Sequence, residues 1–238
     1  MKLLSIDSNA KLAKTNAKVG AGHIYAGLSM MPDPVLCPGS KAAGCMAGCL
    51  QSAGRGAFSN VAKARQAKTD WWHRDWEGFT QALVKDLEAL VKKASKAGKT
   101  ARVRLNVLSD IAWETVPCDR HGEAFDGIPQ AFPEIEFYDY TKRAARLGKT
   151  PANYHLTFSY SGIPTYANQV KHAQATGANM AVVFHVKRNQ PLPKLWQGRV
   201  VIDGDEHDAR TDDPMGIIVG LRAKGKAIAD TSGFVVTI

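Results

Sequence analysis

Three cysteines in one short segment are the residues of this chain best suited to chemistry. They are Cys37, Cys45 and Cys49, in a C-x7-C-x3-C spacing. Closely spaced cysteines supply the thiolate ligands of iron–sulfur clusters, and the small residues between them let the backbone wrap closely around such a group. The spacing therefore predicts a cluster, with [4Fe-4S] as the first candidate and [3Fe-4S] as the second. A cubane held by three cysteines leaves one iron open to a small-molecule substrate or ligand.

Two other interpretations of the cysteine segment stay open. Structural zinc takes four protein ligands, so it would need a fourth one from a distant segment, either Cys118 or His121. The three thiols can also be structural, because a free cysteine packs as a small apolar side chain.

The cysteine segment must be positioned by the elements on either side of it. An apolar run at residues 24–31, bounded by Gly22 and Pro32, predicts a buried strand directly before it. After it, apolar residues recur at spacings of three and four, which predicts one long amphipathic helix from about residue 60 to Gly98. The apolar stripe of that helix consists of Trp72, Trp76, Phe79, Leu83, Leu87, Leu90 and Ala94.

Beyond this helix the chain becomes a series of short apolar runs with connections between them. Runs at residues 102–108, 135–138, 154–158, 180–185, 200–202 and 217–221 bring the candidate strands to seven, and residues 165–176 form a candidate helix. Short strands alternating with helical stretches are typical of parallel β-α units. We expect one α/β domain over residues 1–238, folded as a complete or partial (β/α) TIM-type barrel.

Polar residues follow several of these strands. In β/α barrels the active site lies at the carboxyl ends of the strands, so side chains there are catalytic candidates. We expect Asp110, Tyr140 and His185 to point into a pocket that contains the edge of the cluster, with Asp139 and Ser159 nearby. This is the prediction of a cluster-dependent enzyme. A non-catalytic electron-transfer or binding protein would instead have a basic surface near the cluster and no enclosed pocket.

A cluster-binding loop after the first strand of a barrel resembles the architecture of radical S-adenosylmethionine enzymes. The usual signature of that family is C-x3-C-x2-C, whereas this chain has C-x7-C-x3-C. The resemblance is therefore one of architecture, and it implies a [4Fe-4S] cluster while leaving S-adenosylmethionine binding open.

A second resemblance extends over nearly the whole chain. Its segments lie at residues 22–29, 37–49, 54–56, 104–110, 137–142, 154–159 and 220–225. They are similar to a family of tailed-bacteriophage proteins that also occurs in prophages. The resemblance implies a viral accessory protein that acts in the host cytoplasm, and it implies no particular reaction.

The charge balance leaves a nucleic-acid partner open. Lys and Arg number 31 against 22 Asp and Glu, a formal net charge of +9, which can attract nucleic acid or another anion. A solvated basic surface explains the same excess. No apolar run approaches the roughly 20 residues that cross a membrane, and the N-terminal residues lack the apolar block of a secretory signal. We therefore expect a cytoplasmic protein without membrane contact.

Overall fold

One nine-stranded sheet connects the N-terminal and C-terminal parts of the chain. The computed structural model describes residues 1–6 and 10–238, with the side chains of all of these except residues 10, 52 and 55. The strands are β1 (Leu4–Ser5), β2 (His23–Leu28), β3 (Thr100–Arg104), β4 (Cys118–Arg120), β5 (Glu123–Phe125), β6 (Ile135–Thr141), β7 (Tyr154–Ser159), β8 (Met180–Phe184), β9 (Leu195–Trp196), β10 (Arg199–Asp203) and β11 (Ile218–Arg222). The helices are α1 (Ala10–Val19), α2 (Ser59–Arg74), α3 (Trp76–Lys96), α4 (Ile128–Ala131) and α5 (Ala167–Ala175). Short 3-10 turns lie at Leu50–Ser52, Gly54–Ala57, Trp113–Thr115, Ala144–Arg146, Pro164–Tyr166 and Gly225–Ala229.

The fold is mixed α/β, and its sheet is mostly parallel. The strand order is β1-β2-β3-β6-β7-β8-β11-β10-β9, with β1 and β9 antiparallel at the two edges. Seven strands run parallel, and five of them, β2, β3, β6, β7 and β8, are neighbours in chain order, as the strands of a β/α barrel are. The other two depart from that order, because β11 lies between β8 and β10. In the described residues no pairing joins β1 to β9, so the sheet is open there. The partial form of the barrel stays a prediction.

The outer face of the sheet, which we define as the face packed against α3, carries the main apolar core. Residues alternate between the two faces of a strand, so Ala101 and Val103 of β3 point to this face. They join Phe79, Leu83 and Leu87 of α3 in one buried cluster. From Phe79 onward, the apolar stripe of α3 thus packs where its periodicity predicts.

The single long helix expected from about residue 60 to Gly98 is wrong, because α2 and α3 are separate helices that meet at Asp75. The Asp75 carboxylate accepts the backbone N–H of Gly78 at 2.9 Å, which caps the start of α3. The backbone of Asp75 is not helical, with φ −157° and ψ 76°, and Trp76 is exposed although the stripe predicts it to be buried. Trp72 lies partly buried against the core, as predicted.

The inner face of the sheet, opposite to α3, is covered at one end by α1 and by residues 205–213. Tyr25 and Tyr138 point to this face and pack with Leu12 of α1 and Ala209. The amine of Lys14 on α1 donates to the backbone carbonyl of Asp205 at 2.8 Å. Since α1 packs beside β2 and Asp205 follows β10, this contact joins distant parts of the sheet across its inner face.

Most of the predicted strands overlap observed ones, and the helix expected at 165–176 is confirmed as α5. The main difference lies in the strand expected at 102–108, since β3 ends at Arg104. There the Asn106 amide donates to the carbonyl of Ile111 and accepts its backbone N–H, both at 2.9 Å. This local turn replaces further sheet pairing. The sequence did not predict α1, β1, β4, β5 or β9, which are short or lack an apolar run.

Candidate functional site

The cysteine segment, residues 37–49, follows β2 and is anchored to the carboxyl ends of neighbouring strands. Beyond β7, the Ser161 hydroxyl donates to the carbonyl of Ala43 at 2.8 Å, and the Thr165 hydroxyl donates to the carbonyl of Ala42 at 3.0 Å. Within the segment, Gly44 has φ +65°, and a Cβ atom there would lie 2.1 Å from Cδ1 of Ile163. Glycine is therefore favoured at this position by the positive φ, and a Cβ there would also have to displace the end of the Ile163 side chain.

All three thiols of the segment line one cavity of about 1260 Å³. Each of the cysteines is half-buried. Burial raises the pKa of Cys37 to about 12, and the nearby Asp110, Cys45 and Cys49 add to that rise. Burial also raises the pKa values of Cys45 and Cys49. As free groups the three thiols are therefore protonated at neutral pH, and a metal that bound them would displace their protons.

Lys142, which directly follows β6, places a buried amine near the thiol of Cys45. The amine donates to the backbone carbonyls of Ser159 at 3.1 Å and Tyr160 at 3.2 Å. Burial lowers the pKa of Lys142 to about 8, while Cys45 and Asp110 act in the opposite direction. The positive charge of Lys142 in turn favours the thiolate form of Cys45.

Asp110 lines the cavity, as predicted, but its carboxylate is engaged in a buried network. Arg146 donates to it at 2.7 Å, and the backbone N–H of Lys142 donates to it at 2.8 Å. Arg146 also makes two 2.8 Å hydrogen bonds to Glu114. Burial raises the pKa of Asp110, and Arg146 opposes that rise. This geometry makes Asp110 a residue that positions Lys142.

Tyr140 also lines the cavity, as predicted, and its hydroxyl has no hydrogen-bond partner among the described residues. The Arg104 guanidinium lies 4.5 Å from the centre of its ring. Burial raises the pKa of Tyr140 to about 12, and Asp208 adds to the rise. The hydroxyl therefore stays protonated and can donate a hydrogen bond to a ligand.

The structure does not bring His185 to this site. Its side chain is exposed, and the cavity wall formed by the described residues does not include it. After β8 the chain pairs with the C-terminal segment, since His185 N–H donates to the carbonyl of Val236 and Val236 N–H donates to that of Val183. Of the nearby candidates, Ser159 lines the cavity, whereas Asp139 is buried and accepts the hydroxyl of Tyr154 at 2.8 Å.

The fourth zinc ligand considered from the sequence is not supplied by Cys118 or His121. Cys118 is part of the outer core. His121 is exposed and pairs with Glu88 of α3 at 3.2 Å. Across residues 1–6 and 10–238, no three His, Cys, Asp or Glu side chains form a group that could hold a single ion. The thiols of the cavity thus lack the arrangement that a mononuclear metal requires.

The cationic wall of the cavity is the feature that the sequence did not predict. Within the described chain, eight cationic side chains line the cavity against the two carboxylates of Asp110 and Asp205. The cationic residues are Lys11, Lys14, Arg65, Lys68, Arg104, Lys142, Arg222 and Lys224. Of these residues only Arg222 directly follows a predicted strand, the one at 217–221, whereas Lys142 lies four residues beyond the predicted strand at 135–138. The others sit on helices, on strands or in loops, where charge ordinarily indicates a solvated surface.

Comparison with known proteins gives the family of the chain. Within the described residues, no helix is both long and apolar enough to span a membrane. No curated protein and no solved structure matches the chain. Residues 2–238 match the profile of a family described as Gene product 88, which agrees with the phage origin that the sequence resemblance implies. The chain belongs to the Gene product 88 family.

Proposed function

We propose that the protein binds an iron–sulfur cluster through Cys37, Cys45 and Cys49 and uses it as the cofactor of an enzyme. The observation that carries the proposal is that three half-buried thiols of one segment line a single large cavity. That cavity lies at the carboxyl ends of parallel strands, where α/β folds bind their ligands.

The residues of the site fit a cluster better than they fit a single ion. A single ion needs its ligands to converge on one point, whereas a cluster takes each thiolate at a different iron atom. Gly44 and the neighbouring small residues let the backbone of the segment lie close to a bound cluster. Lys142 beside Cys45 and Arg65 beside Cys49 supply positive charge that stabilises thiolates and an anionic cluster.

A cubane bound by three cysteines supplies an open iron that can act as a Lewis acid or an electron relay. The protein's own groups would then orient the ligand. Tyr140 offers a buried hydroxyl as a donor, and the carbonyls of Ser159 and Tyr160 hold the Lys142 amine in place. Asp110 fixes the backbone of Lys142.

The size of the cavity favours an enzyme over an electron carrier or a nucleic-acid-binding protein. An electron carrier needs only a cluster near the surface, whereas pockets for drug-sized ligands have volumes of roughly 300–1,000 Å³. At about 1260 Å³ the cavity has room for a small molecule beside a cluster. S-adenosylmethionine is one candidate for that molecule.

The test is anaerobic purification and reconstitution, followed by visible absorption and by iron, sulfide and zinc analysis. We expect iron and acid-labile sulfide in the wild type and their loss in the Cys45→Ala variant. Cys118→Ala is the matched control, because Cys118 lies in the outer core, and it should keep the cluster. A colourless protein with zinc and no sulfide would refute the proposal.

The open iron is tested separately on the reduced, reconstituted protein. Incubation with S-adenosylmethionine should produce cleavage products if the radical-enzyme chemistry is present. A cluster without cleavage would refute the radical chemistry and leave two roles for the cluster, Lewis acid in an enzyme or carrier of electrons.

A further inference from the structure

We infer that the cavity contains a phosphate-binding subsite formed by Ser29, Arg65 and Lys68, so that its substrate is a small phosphate-bearing molecule. The inference rests on the proposed function in that it takes the same cavity as the active site. The three residues come from two segments of the chain: Ser29 directly follows β2, and the other two lie on α2.

Strand pairing and a backbone contact of α2 place these residues on one side of the cavity, since the Met31 N–H donates to the carbonyl of Arg65 at 3.3 Å. Leu4 of β1 pairs with Leu28 of β2 in antiparallel register, which places Leu3 beside Ser29. The Lys68 amine donates to the carbonyl of Leu3 at 2.7 Å, so the amine lies beside the residue that neighbours Ser29. Arg65 and Lys68 are three residues apart and therefore share one face of α2.

Two donors at this point have no partner in the described part of the chain. They are the Ser29 hydroxyl and the Arg65 Nε–H group, and both atoms are buried. Buried polar groups in folded proteins are almost always hydrogen-bonded, so these two call for a ligand or ordered water. Both residues line the cavity.

The positive charge of the subsite is only partly offset, because the Asp86 carboxylate, which accepts the backbone N–H groups of Leu3 and Leu4, also favours the charged form of Lys68. In the described residues, Arg65 and Lys68 donate only to backbone carbonyls, those of Gly56 and Leu3, and neither is in a salt bridge. Lys14, across the cavity on α1, likewise donates to a carbonyl, that of Asp205. By contrast, Arg222 and Lys224 at the far side pair with the Asp205 carboxylate.

A phosphate group matches the donors of Ser29, Arg65 and Lys68 better than a carboxylate group does. It carries up to two negative charges and three strong acceptor oxygens, and the subsite offers two cations and three donor groups. A small molecule fits better than a nucleic-acid strand, because strands engage rows of exposed cations, whereas the Ser29 hydroxyl and Arg65 Nε are buried.

The test is calorimetric titration of the purified protein with inorganic pyrophosphate at moderate salt. The Ser29→Ala/Lys68→Gln double variant should bind at least tenfold more weakly than the wild type. Ser95→Ala/Lys92→Gln is the matched control, since both residues are exposed on α3, and it should bind within twofold of the wild type. Thermal unfolding of both variants confirms that they are folded.

Absence of pyrophosphate binding in the wild type would overturn the inference, and so would an equal loss in both double variants. Tighter binding of a single-stranded oligonucleotide, weakened equally by both variants, would also overturn it.

The titration is run on reconstituted and on metal-free protein. Cys45→Ala should keep pyrophosphate binding, and the subsite variant should keep its iron, so failure of the cluster and failure of the subsite are distinguished.

Discussion

The two faces of the sheet are held by different kinds of interaction, although the same strands supply both. On β3, Ala101 and Val103 point to the outer face and pack against α3, whereas Arg102 and Arg104 point to the inner face. The outer face is an apolar core that needs only shape and volume. The inner face depends on buried ion pairs, which require particular partners from distant segments.

The inner pairs hold the segment that borders the cavity. Arg104 donates to Asp208 at 2.7 Å, and Lys11 of α1 pairs with the other oxygen of the same carboxylate at 2.6 Å. Arg102 pairs with Asp212 in the same segment. Apolar packing therefore stabilises the sheet from outside, while charge pairing positions the cavity wall from inside.

The largest effect is expected from Asp208→Ala on the inner face. The substitution leaves the buried Arg104 with only the more distant Asp139 carboxylate, at 3.9 Å, and breaking a buried pair in this way costs about 3–5 kcal/mol. Urea denaturation gives the free energy of unfolding. Asp126→Ala, at an exposed position, is the control and should stay within about 0.5 kcal/mol of the wild type. A loss below about 1 kcal/mol for Asp208→Ala would show that the inner pair is not a structural support.

The corresponding change on the outer face is Leu83→Ala. Leu83 is fully buried, and a leucine-to-alanine change in a core costs about 2–5 kcal/mol. Ile228→Ala, at an exposed position, is the matched control and should be nearly neutral. The effects of Leu83→Ala and Asp208→Ala should add to within about 0.5 kcal/mol, because the residues lie on opposite faces. Strong non-additivity would mean that the two faces are not independent.

The contributions of the two faces to stability should respond differently to pH. Burial alone would raise the pKa of Asp208, but Arg104 and Lys11 hold this pKa far below its usual range. A carboxylate of lowered pKa stabilises the fold above the unfolded value, about 3.9, and that contribution is lost as the pH falls toward the folded value. The stability difference between wild type and Asp208→Asn should therefore narrow below about pH 4. The difference between wild type and Leu83→Ala should not change with pH.

A smaller effect is expected from Gly44→Ala in the cysteine segment. Its control is Gly148→Ala, because Gly148 has a similar φ of +73° but no described atom within 4 Å of the place that a Cβ would take, whereas Ile163 crowds Gly44. Both variants bear a backbone cost of about 1 kcal/mol, and displacing the end of the Ile163 side chain should add up to about 1 kcal/mol at Gly44. Iron content after reconstitution should fall only in Gly44→Ala. Equal stability and equal iron content in the two variants would mean that the cysteine segment accommodates a Cβ atom at residue 44.

The parts of the fold and site that could be predicted are those with a local signal. The spacing of Phe79, Leu83 and Leu87 predicts the outer face of α3, and the apolar run before Cys37 predicts β2. Because β2 ends just before the segment, the segment must lie at the carboxyl ends of the parallel strands. The same logic places Asp110 and Tyr140 in the cavity wall.

The parts that could not be predicted depend on contacts between distant segments. The orientation of His185 is set by pairing with Val236, about fifty residues later in the chain. The break at Asp75 depends on one capping side chain within an otherwise continuous apolar pattern. Lys68 looks like a solvated helix charge until the pairing of β1 with β2 places Leu3 beside it.

The smallest effect on stability is expected from Tyr140→Phe, and it tests the inner face at the cavity itself. The Tyr140 hydroxyl is buried without a partner in the described residues, so its removal should change the free energy of unfolding by less than about 0.5 kcal/mol or raise it slightly. Tyr154→Phe is the matched control. Its hydroxyl donates to Asp139 at 2.8 Å and accepts from Arg146 at 3.2 Å, so its loss should cost about 1–3 kcal/mol. If Tyr140→Phe proves as costly as Tyr154→Phe, the hydroxyl is held by the fold and is not free to meet a ligand. If Tyr140→Phe is neutral, the fold makes no use of the hydroxyl, which is the condition for its donating to a ligand.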